Sequence, residues 1–416
     1  MTSAATTSRS KVKIAHIADM QFGSGYSLGH EDQGGVNSRL KDADVCWQRA
    51  VGRMISEPVD LVVIAGDVFE RPRPTPTEMD VFASGLRRLS AADIPVVGCV
   101  GNHDSNRMIG QKDALEIFQD HIGAEVTFAS KPTLLTQAET GLPVTIALLP
   151  WVNPAHLAAT DKEYSALDLD ERNVYIADRM IEVARGLAFQ AGQSNPPLGA
   201  ILVAHAAIAG SQVGAEQATY FLREPMLPLS ELLGMGFRYQ AFGHLHRAQK
   251  LAPGIQYCGS LDRQNWGEAK EPKGWYLVTI TEDAVTSEFV SSLPRPFFDI
   301  EWKDPAGWER ELPGSEEEGA TIKGSLVRIR YTTTPEIQKT LDLDAMRRAF
   351  YADGAEHVWG PIVTIVRDGT ERAGNTLSEE TGPLQAAEEL WELNAIEPEQ
   401  RRRLRALLTE ALEAQA

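Results

Sequence analysis

Tyr239-Gln240-Ala241-Phe242-Gly243-His244-Leu245-His246 (YQAFGHLH) joins a short apolar run to two histidines one residue apart. The run reads as a strand buried on both faces. The histidines then fall on the loop that leaves the strand, with Gly243 giving the chain freedom to turn. Four other stretches repeat this design: Lys11–Asp19 (KVKIAHIAD), Asp60–Asp67 (DLVVIAGD), Ile94–Asp104 (IPVVGCVGNHD) and Ala200–His205 (AILVAH). Helical stretches lie between some of them. In Asp44–Ile55, Trp47, Val51, Met54 and Ile55 share one face, and Thr77–Leu89 follows a Pro-rich entry at Arg71–Pro76. A third, longer helix is predicted from Asp170 to about Gln190. Strands alternating with helices imply a layered α/β domain. Ile255–Cys258 and Trp275–Ile280 are strand-like without crossover helices, so the expected fold is a mixed β-sandwich flanked by helices.

The chain has 416 residues, which suggests two or three domains. Composition shifts near Ser291–Pro296 (SSLPRP). Beyond it, Leu326–Tyr331 and Val358–Val366 read as strands, Leu341–Phe350 as a helix and Pro313–Ala320 as a loop. Residues 291–370 are therefore expected to form a small α+β unit after a main domain over residues 11–290. Arg367–Glu380 reads as a linker. In the remainder, Leu384, Ala387, Leu390, Trp391 and Leu393 make one apolar stripe, and Leu404, Leu407, Leu408, Ala411 and Leu412 another. Two short amphipathic helices at the end of the chain need a surface to bury those stripes.

No apolar run approaches the ~20 residues that span a membrane. Met1–Ser10 has no apolar core and reads as a disordered start, not a signal peptide. The expected location is the cytoplasm. Cys46, Cys99 and Cys258 lack metal-finger spacing and read as core residues of a reducing compartment. The net charge of −18 argues against a stand-alone DNA-binding module, yet bound cations can supply positive charge locally.

The strand ends carry the chemistry. They offer Asp19 and Gln21, Asp67, then Asn102, His103 and Asp104, then His205, and finally His244 and His246. The carboxyl ends of strands in open α/β sheets converge on one crevice. Taken singly, Asp19 or Asp67 is a common turn residue, Asn102 after Gly101 an ordinary turn pair, and His205 an ordinary core histidine. Five such ends in order make a mixed carboxylate, imidazole and amide set, suited to Mn2+, Fe2+ or Zn2+.

The order D-x-[H], G-D, G-N-H-D, H, G-H-x-H resembles the calcineurin-like metallophosphoesterases over roughly residues 11–300. Within them the chain is similar to the SbcD-like nuclease subunits of double-strand-break repair complexes. Arg39 and Asp42 ahead of the first helix, Leu149-Pro150-Trp151, Tyr257-Cys258-Gly259-Ser260, Arg263, Trp266-Gly267-Glu268, Lys273-Gly274 and Pro294-Arg295-Pro296-Phe297 carry that likeness. The resemblance implies two divalent ions, Mn2+ foremost with Mg2+ or Fe2+ as alternatives. One would be held by Asp19, Gln21, Asp67 and His246, the other by Asp67, Asn102, His205 and His244. It further implies that His103 protonates the leaving oxygen, with Asp104 orienting it. The family's first motif ends in His where this chain has Gln21, a neutral oxygen donor that binds less tightly. His16, on the same strand, reads as structural. Arg107 and Arg263 are candidate phosphate contacts; His30, His121, His156 and His357 have no supporting pattern.

The resemblance also implies DNA as substrate, a homodimer, a capping domain over residues 291–370, and C-terminal helices (residues 371–416, with the linker) that dock on an SMC-type ATPase subunit. The expected activity is a Mn2+-dependent nuclease, exonucleolytic on duplex ends and endonucleolytic on single strands or hairpins. The competing readings are a phosphoesterase of small nucleotides or phosphodiesters, and a non-catalytic scaffold with a weakened metal site.

Overall fold

A computed structural model describes residues 10–23, 28–31, 34–106, 108, 110–119, 126–213, 224–302, 321–365, 387, 391 and 398–413. They divide into two compact units, one up to Phe297 and one from Phe298 onward.

The first unit contains β1 (Lys11–Ile17), β2 (Leu61–Ala65), β3 (Val96–Cys99), β4 (Val126–Ala129), β5 (Thr133–Leu135), β6 (Thr145–Leu149) and β7 (Ala200–His205). It continues with β8 (Ala207–Ile208), β9 (Met226–Leu227), β10 (Tyr239–Gly243), β11 (Gln249–Ala252), β12 (Ile255–Tyr257), β13 (Gly274–Thr281) and β14 (Val285–Ser291). Two six-stranded sheets result, ordered β14-β13-β1-β2-β3-β4 and β11-β12-β10-β7-β6-β5. Strands β1 to β4 run parallel, as do β6, β7, β10 and β12, while β13, β14, β11 and β5 add antiparallel edges. Both sheets are mixed.

The unbroken apolar runs have a simple cause. Successive side chains of a strand point to opposite faces, and both faces are covered here. Ile14, Val63 and Ala65 enter a core shared with Ile146, Val203 and Ala241 of the other sheet. Ala15, Val62 and Ile64 face the opposite way, against Trp47 and Phe82 of helices α1 (Ser38–Ser56) and α2 (Pro76–Ser90). On the far side, Leu202, Ala204 and Phe242 pack with Met180 and Ala184. Those two residues belong to the longer of two further helices, α3 (Pro154–Thr160) and α4 (Leu169–Gln193). The order is helix, sheet, sheet, helix.

Helix α2 starts where its sequence says: Pro76 is the first residue and Thr75 and Glu78 form a capping box. Helix α1 starts earlier than its apolar stripe. Asn37 caps it, so Arg39 and Asp42 lie inside the helix, not ahead of it. Their charges hide them from a reading based on apolar spacing. Both are buried because Arg39 is paired with Asp42 at 2.5 Å and Asp262 at 2.6 Å. Cys46, Cys99 and Cys258 are free and buried.

The second unit holds β15 (Phe297–Trp302), β16 (Leu326–Thr333) and β17 (His357–Ile365), in that spatial order, with β16 and β17 parallel. Met346 and Phe350 of helix α5 (Leu343–Ala352) pack on Phe298, Ile300, Val327 and Ile329. Helix α6 (Pro398–Glu413) ends the described chain. The expected disordered start up to residue 9, the loop 313–320, the linker 367–380 and all of the preceding helix except Ala387 and Trp391 lie outside the described residues. Among the described residues, no helix is long and apolar enough to cross a membrane.

Candidate metal centre

The carboxyl ends of β1, β2, β3, β7 and β10 meet at one place. Asp19 and Gln21 follow β1, Asp67 follows β2, Asn102 to Asp104 follow β3, His205 ends β7, and His244 and His246 follow β10. Asp67, His205 and His244 are buried, with ligand atoms within 4.8 Å of one another. Asn102 Oδ1 lies 2.8 Å from His205 Nε2 and 3.1 Å from His244 Nδ1.

The backbone is strained to achieve this. Asp19 (φ 50°), Gln21 (φ 44°), Asp67 (φ 52°) and His244 (φ 106°) all occupy left-handed or neighbouring conformations. Such residues cost about 1–3 kcal/mol each and persist only where the surroundings fix them. Here the loops after β1 and β2 are bonded together. Asp19 N–H donates to Gly66 O (3.1 Å), Gln21 N–H to Asp67 O (3.0 Å) and Phe22 N–H to Val68 O (2.8 Å). Both Asp19 oxygens accept from His244 N–H, at 2.9 and 3.0 Å, which ties the β10 loop to the β1 loop. The turn expected of Gly243 is made by His244 itself, which takes the positive φ. Gly243 is needed for close approach: a Cβ there would lie 2.0 Å from Ala65 O. Gly101 is similar, since a Cβ would lie 2.2 Å from Asp67 Oδ1.

The donor chemistry fits a cation. His205 Nδ1 sits 2.8 Å from Ala65 O, and a carbonyl only accepts, so Nδ1 carries the proton. The Nε2 lone pair then faces Asn102 Oδ1 at 2.8 Å and Asp67 Oδ2 at 3.4 Å. Acceptors aimed at one point need a proton or a metal between them. The electrostatics report the same need. Burial opposes a charge on His205, yet Asp67 and Asp19 outweigh it and raise its pKa to about 9. Burial would likewise raise Asp67, but His205 and His103 hold it well below the carboxylate range. Burial pushes Asp19 up against the pull of His205 and His246.

His246 and Gln21 stand together, Gln21 Nε2 lying 3.0 Å from His246 Nε2. Behind His246 is a buried relay of Glu268 and Lys273, residues of stretches that carry the SbcD-like resemblance without implying a role at the centre. His246 Nδ1 is 2.8 Å from Glu268 Oε1, and Glu268 Oε2 is 2.8 Å from Lys273 Nζ. Lys273 in turn donates to His246 O at 2.9 Å. Burial would raise the Glu268 carboxyl, but Lys273 and His246 lower it to about 2. This carboxylate leaves Nε2 as the lone-pair nitrogen aimed at the site. A second unforeseen carboxylate, Glu224, lies 2.6 Å from His244 Nε2. Neither Glu268 nor Glu224 has a spacing that could mark it; each reaches its histidine only through the fold. Trp151 stacks on the His244 ring, centroids 5.4 Å apart.

His103 is half-buried beside these groups. Its N–H donates to Asp67 Oδ1 at 2.8 Å and its Nδ1–H to Glu70 O at 2.7 Å, so Nε2 is left to exchange a proton. Glu70 O orients the ring; the expected role of Asp104 in doing so is corrected. Asp104 accepts from the backbone N–H groups of Phe69 (2.9 Å), Gly101 (3.1 Å) and Val68 (3.3 Å), which shapes the loop. Burial and then Asp67 raise its pKa to about 7. His16 is buried apart from the ligand cluster, against Tyr239 Oη (2.7 Å) and Phe242 O (3.2 Å), and burial lowers its pKa to about 3. Arg263 is 2% exposed and donates to the carbonyls of Arg295 and Glu271. A phosphate could reach it only after rearrangement. Arg107 lies outside the described residues.

A family model described as calcineurin-like phosphoesterase matches residues 12–248. Among curated proteins, the SbcD component of nuclease SbcCD from Staphylococcus saprophyticus is 24% identical over 291 residues, 68% of this chain and 69% of that protein. DNA double-strand break repair protein Mre11 of Haloferax volcanii is 28% identical over 290 residues, 70% of this chain and 54% of that protein. The chain thus spans about half the length of the archaeal relative. A solved dimetal phosphatase from Danio rerio is 11% identical with a TM-score of 0.40, covering 67% of this chain and 99% of that one, too weak a likeness to bear on function.

Proposed function

Because this chain belongs to the calcineurin-like phosphoesterase family, we propose that it is a Mn2+-dependent DNA nuclease, cutting duplex ends as an exonuclease and single strands or hairpins as an endonuclease. The observation that carries this reading is the convergence of Asp67, His205 and His244 with Asn102 at strand ends. The names of the two curated relatives, one a nuclease and one a DNA double-strand break repair protein, support the substrate class.

Asp19, Gln21, Asp67 and His246 would hold one divalent ion, and Asp67, Asn102, His205 and His244 the other. Mn2+ suits this oxygen-rich set best, with Mg2+ or Fe2+ as alternatives. Such ions, when bound, supply positive charge to the phosphate and an ionised water at neutral pH. The chain's own residues do the rest. Asp67 stays charged and serves both positions. Glu268 and Lys273 fix the His246 ring. His103, held through Nδ1 by Glu70 O, presents Nε2 to pass a proton to the leaving oxygen. The small unit is read as a DNA-recognising cap, in a homodimeric, cytoplasmic assembly. The C-terminal helices are read as the docking segment for an SMC-type ATPase. Support comes from α6, where Leu407 is 63% exposed. Deleting residues 381–416 should abolish pull-down of that ATPase while leaving the nuclease active.

The deciding test is cleavage of end-labelled duplex and hairpin DNA in Mn2+, with His103→Ala as control. Cleavage lost in the variant supports the reading. Hydrolysis of bis-p-nitrophenyl phosphate with no DNA cut would point to a small phosphodiester substrate. No hydrolysis with metal bound would leave a scaffold.

A further inference from the structure

His244 is gripped from several sides, and each grip comes from a different part of the chain. Its backbone N–H is held by the Asp19 carboxylate. Trp151 stacks on one face of its ring, with 24° between the planes. Trp151 is itself fastened to the end of β3: its N–H donates to Val100 O at 2.9 Å, two residues ahead of Asn102. At Nε2 stands Glu224, its Oε2 at 2.6 Å. A short ladder brings that carboxylate there. Glu224 lies two residues ahead of β9, and β9 pairs in parallel with β8, Ala207 opposite Met226 and Ile208 opposite Leu227. Ala209 N–H donates to Leu227 O at 2.9 Å, and Leu227 is buried. Because β8 begins two residues after His205, the ladder ties Glu224 to the strand end that supplies His205.

The bond to Glu224 decides which nitrogen of His244 is open. A carboxylate only accepts, so Nε2 carries the proton and donates it. Nδ1 is then the nitrogen with the lone pair. It lies 3.1 Å from Asn102 Oδ1, on the side of the ring where Asp67 and His205 gather. Without the carboxylate the ring has a competing choice. A proton on Nδ1 would donate to Asn102 Oδ1, and that tautomer closes the nitrogen an ion needs. Partners of this kind on a ligand's far N–H fix the tautomer and raise the basicity of the ligand nitrogen. The Glu224 side chain is 27% exposed, so truncating it empties no core.

We infer that Glu224 is a positioning residue of the proposed metal centre: it holds the His244 proton on Nε2 and so keeps Nδ1 open to the ion. This rests on the reading of the cluster as a metal centre and is independent of which phosphodiester is cut. Glu224 touches neither ion nor substrate in this role. It acts through the imidazole, with the Trp151 ring keeping the plane in which the two nitrogens point opposite ways, one to the carboxylate and one to the ligand cluster.

Two measurements on the full chain test this. The first is proton–nitrogen correlation NMR of the histidine rings in the metal-free protein, above the ordinary imidazole titration range. With the His244 signals assigned by their loss in His244→Gln, the wild type should carry the proton on Nε2. In Glu224→Val, part of the population should carry it on Nδ1. A wild-type proton on Nδ1, or the wild-type pattern in Glu224→Val, overturns the inference. The second is isothermal titration with Mn2+. Glu224→Val should weaken one site by roughly tenfold or more and leave the other, at His246, unaltered, and that unaltered site shows that the variant is folded. Glu224→Gln keeps an acceptor in place, so it should hold the proton on Nε2 and bind Mn2+ more tightly than Glu224→Val. No weakening in Glu224→Val, equal weakening of both its sites, or equal weakening by the Val and Gln variants overturns the inference. A wild type that binds no Mn2+ would fail the metal reading and the purpose given to Glu224 together. A wild type that binds Mn2+ but carries the metal-free proton on Nδ1 would fail Glu224 alone.

Discussion

Around Asp67, His205 and His244, the centre is a crowd of acceptors held by backbone groups. Around Gln21 and His246, it is a neutral amide beside one imidazole, with the Asp19 carboxylate close enough to pull on that imidazole's charge. The first half has Asp67 Oδ1 receiving the His103 N–H and His205 Nδ1 fixed by Ala65 O. The second half depends on a buried ion pair, Glu268 with Lys273 at 2.8 Å, to orient its histidine. Both halves use the same strand-end strategy. They differ in what stands behind the imidazoles: Glu268 backed by Lys273 against His246 in one, and Glu224, with no such lysine among the described residues, against His244 in the other. The second half should thus depend on the relay and be the weaker of the two, because Gln21 gives it a neutral amide where the family's first motif has an imidazole.

The largest effect should come from Asp67, the group common to both halves. Asp67→Asn is expected to lower phosphodiesterase activity by roughly a thousandfold or more, with metal loss seen by elemental analysis after dialysis. Retained stoichiometry would show that the halves do not share it. His103→Ala should cost about a hundredfold in kcat with both ions still bound, because the ring is held by Glu70 O and not by a ligand. Loss of metal would move His103 into the first half.

Glu268→Gln tests the second half. Isothermal titration should show one Mn2+ site weakened by about tenfold or more and the other unaltered; equal weakening of both would deny that the relay serves His246 alone. The same residue has a pH signature in the metal-free protein. Its folded pKa of about 2 lies below the ordinary 4.5. Its contribution to stability is therefore complete above about 4.5 and is lost as pH falls toward 2. Glu268→Gln should flatten that acid arm of the stability curve in chemical denaturation, and an unchanged arm would contradict the ion-pair picture. The smallest effect is expected from Gln21→His, a several-fold tightening at the second half, greatest for Zn2+. Equal stoichiometry and affinity in wild type and variant would show that the amide is no handicap.

Much of the centre is legible in the order of residues alone. An apolar run ending in Asp, His or Asn is a local pattern, and the strand identities of β1, β2, β3, β7 and β10 follow from it. Elements of the small unit are visible in the same way, through the alternation at Leu326–Tyr331 and the helix expected over Leu341–Phe350, which is found at Leu343–Ala352. Charged residues inside elements are not legible. Apolar spacing puts Arg39 and Asp42 ahead of α1 because it cannot register a buried charge whose partner, Asp262, is more than two hundred positions away. Adjacency pairs Asp104 with its neighbour His103, whereas its carboxylate serves three backbone N–H groups.

The amino-acid sequence determined which residues stand at strand ends, and with them the kind of donors the chain can offer an ion, because strand, turn and donor chemistry are properties of short segments. Only the tertiary structure decided which atoms face one another. Parallel pairing of β1 with β2, and of β7 with β10, brings the ends level. The left-handed backbone at Asp19, Asp67 and His244 then aims the side chains inward. Glu268, Lys273 and Trp151 stand in stretches that carry the family likeness, but their places behind the ligands come through that convergence, since apolar spacing does not distinguish a charge or a ring behind a ligand from one in an ordinary core.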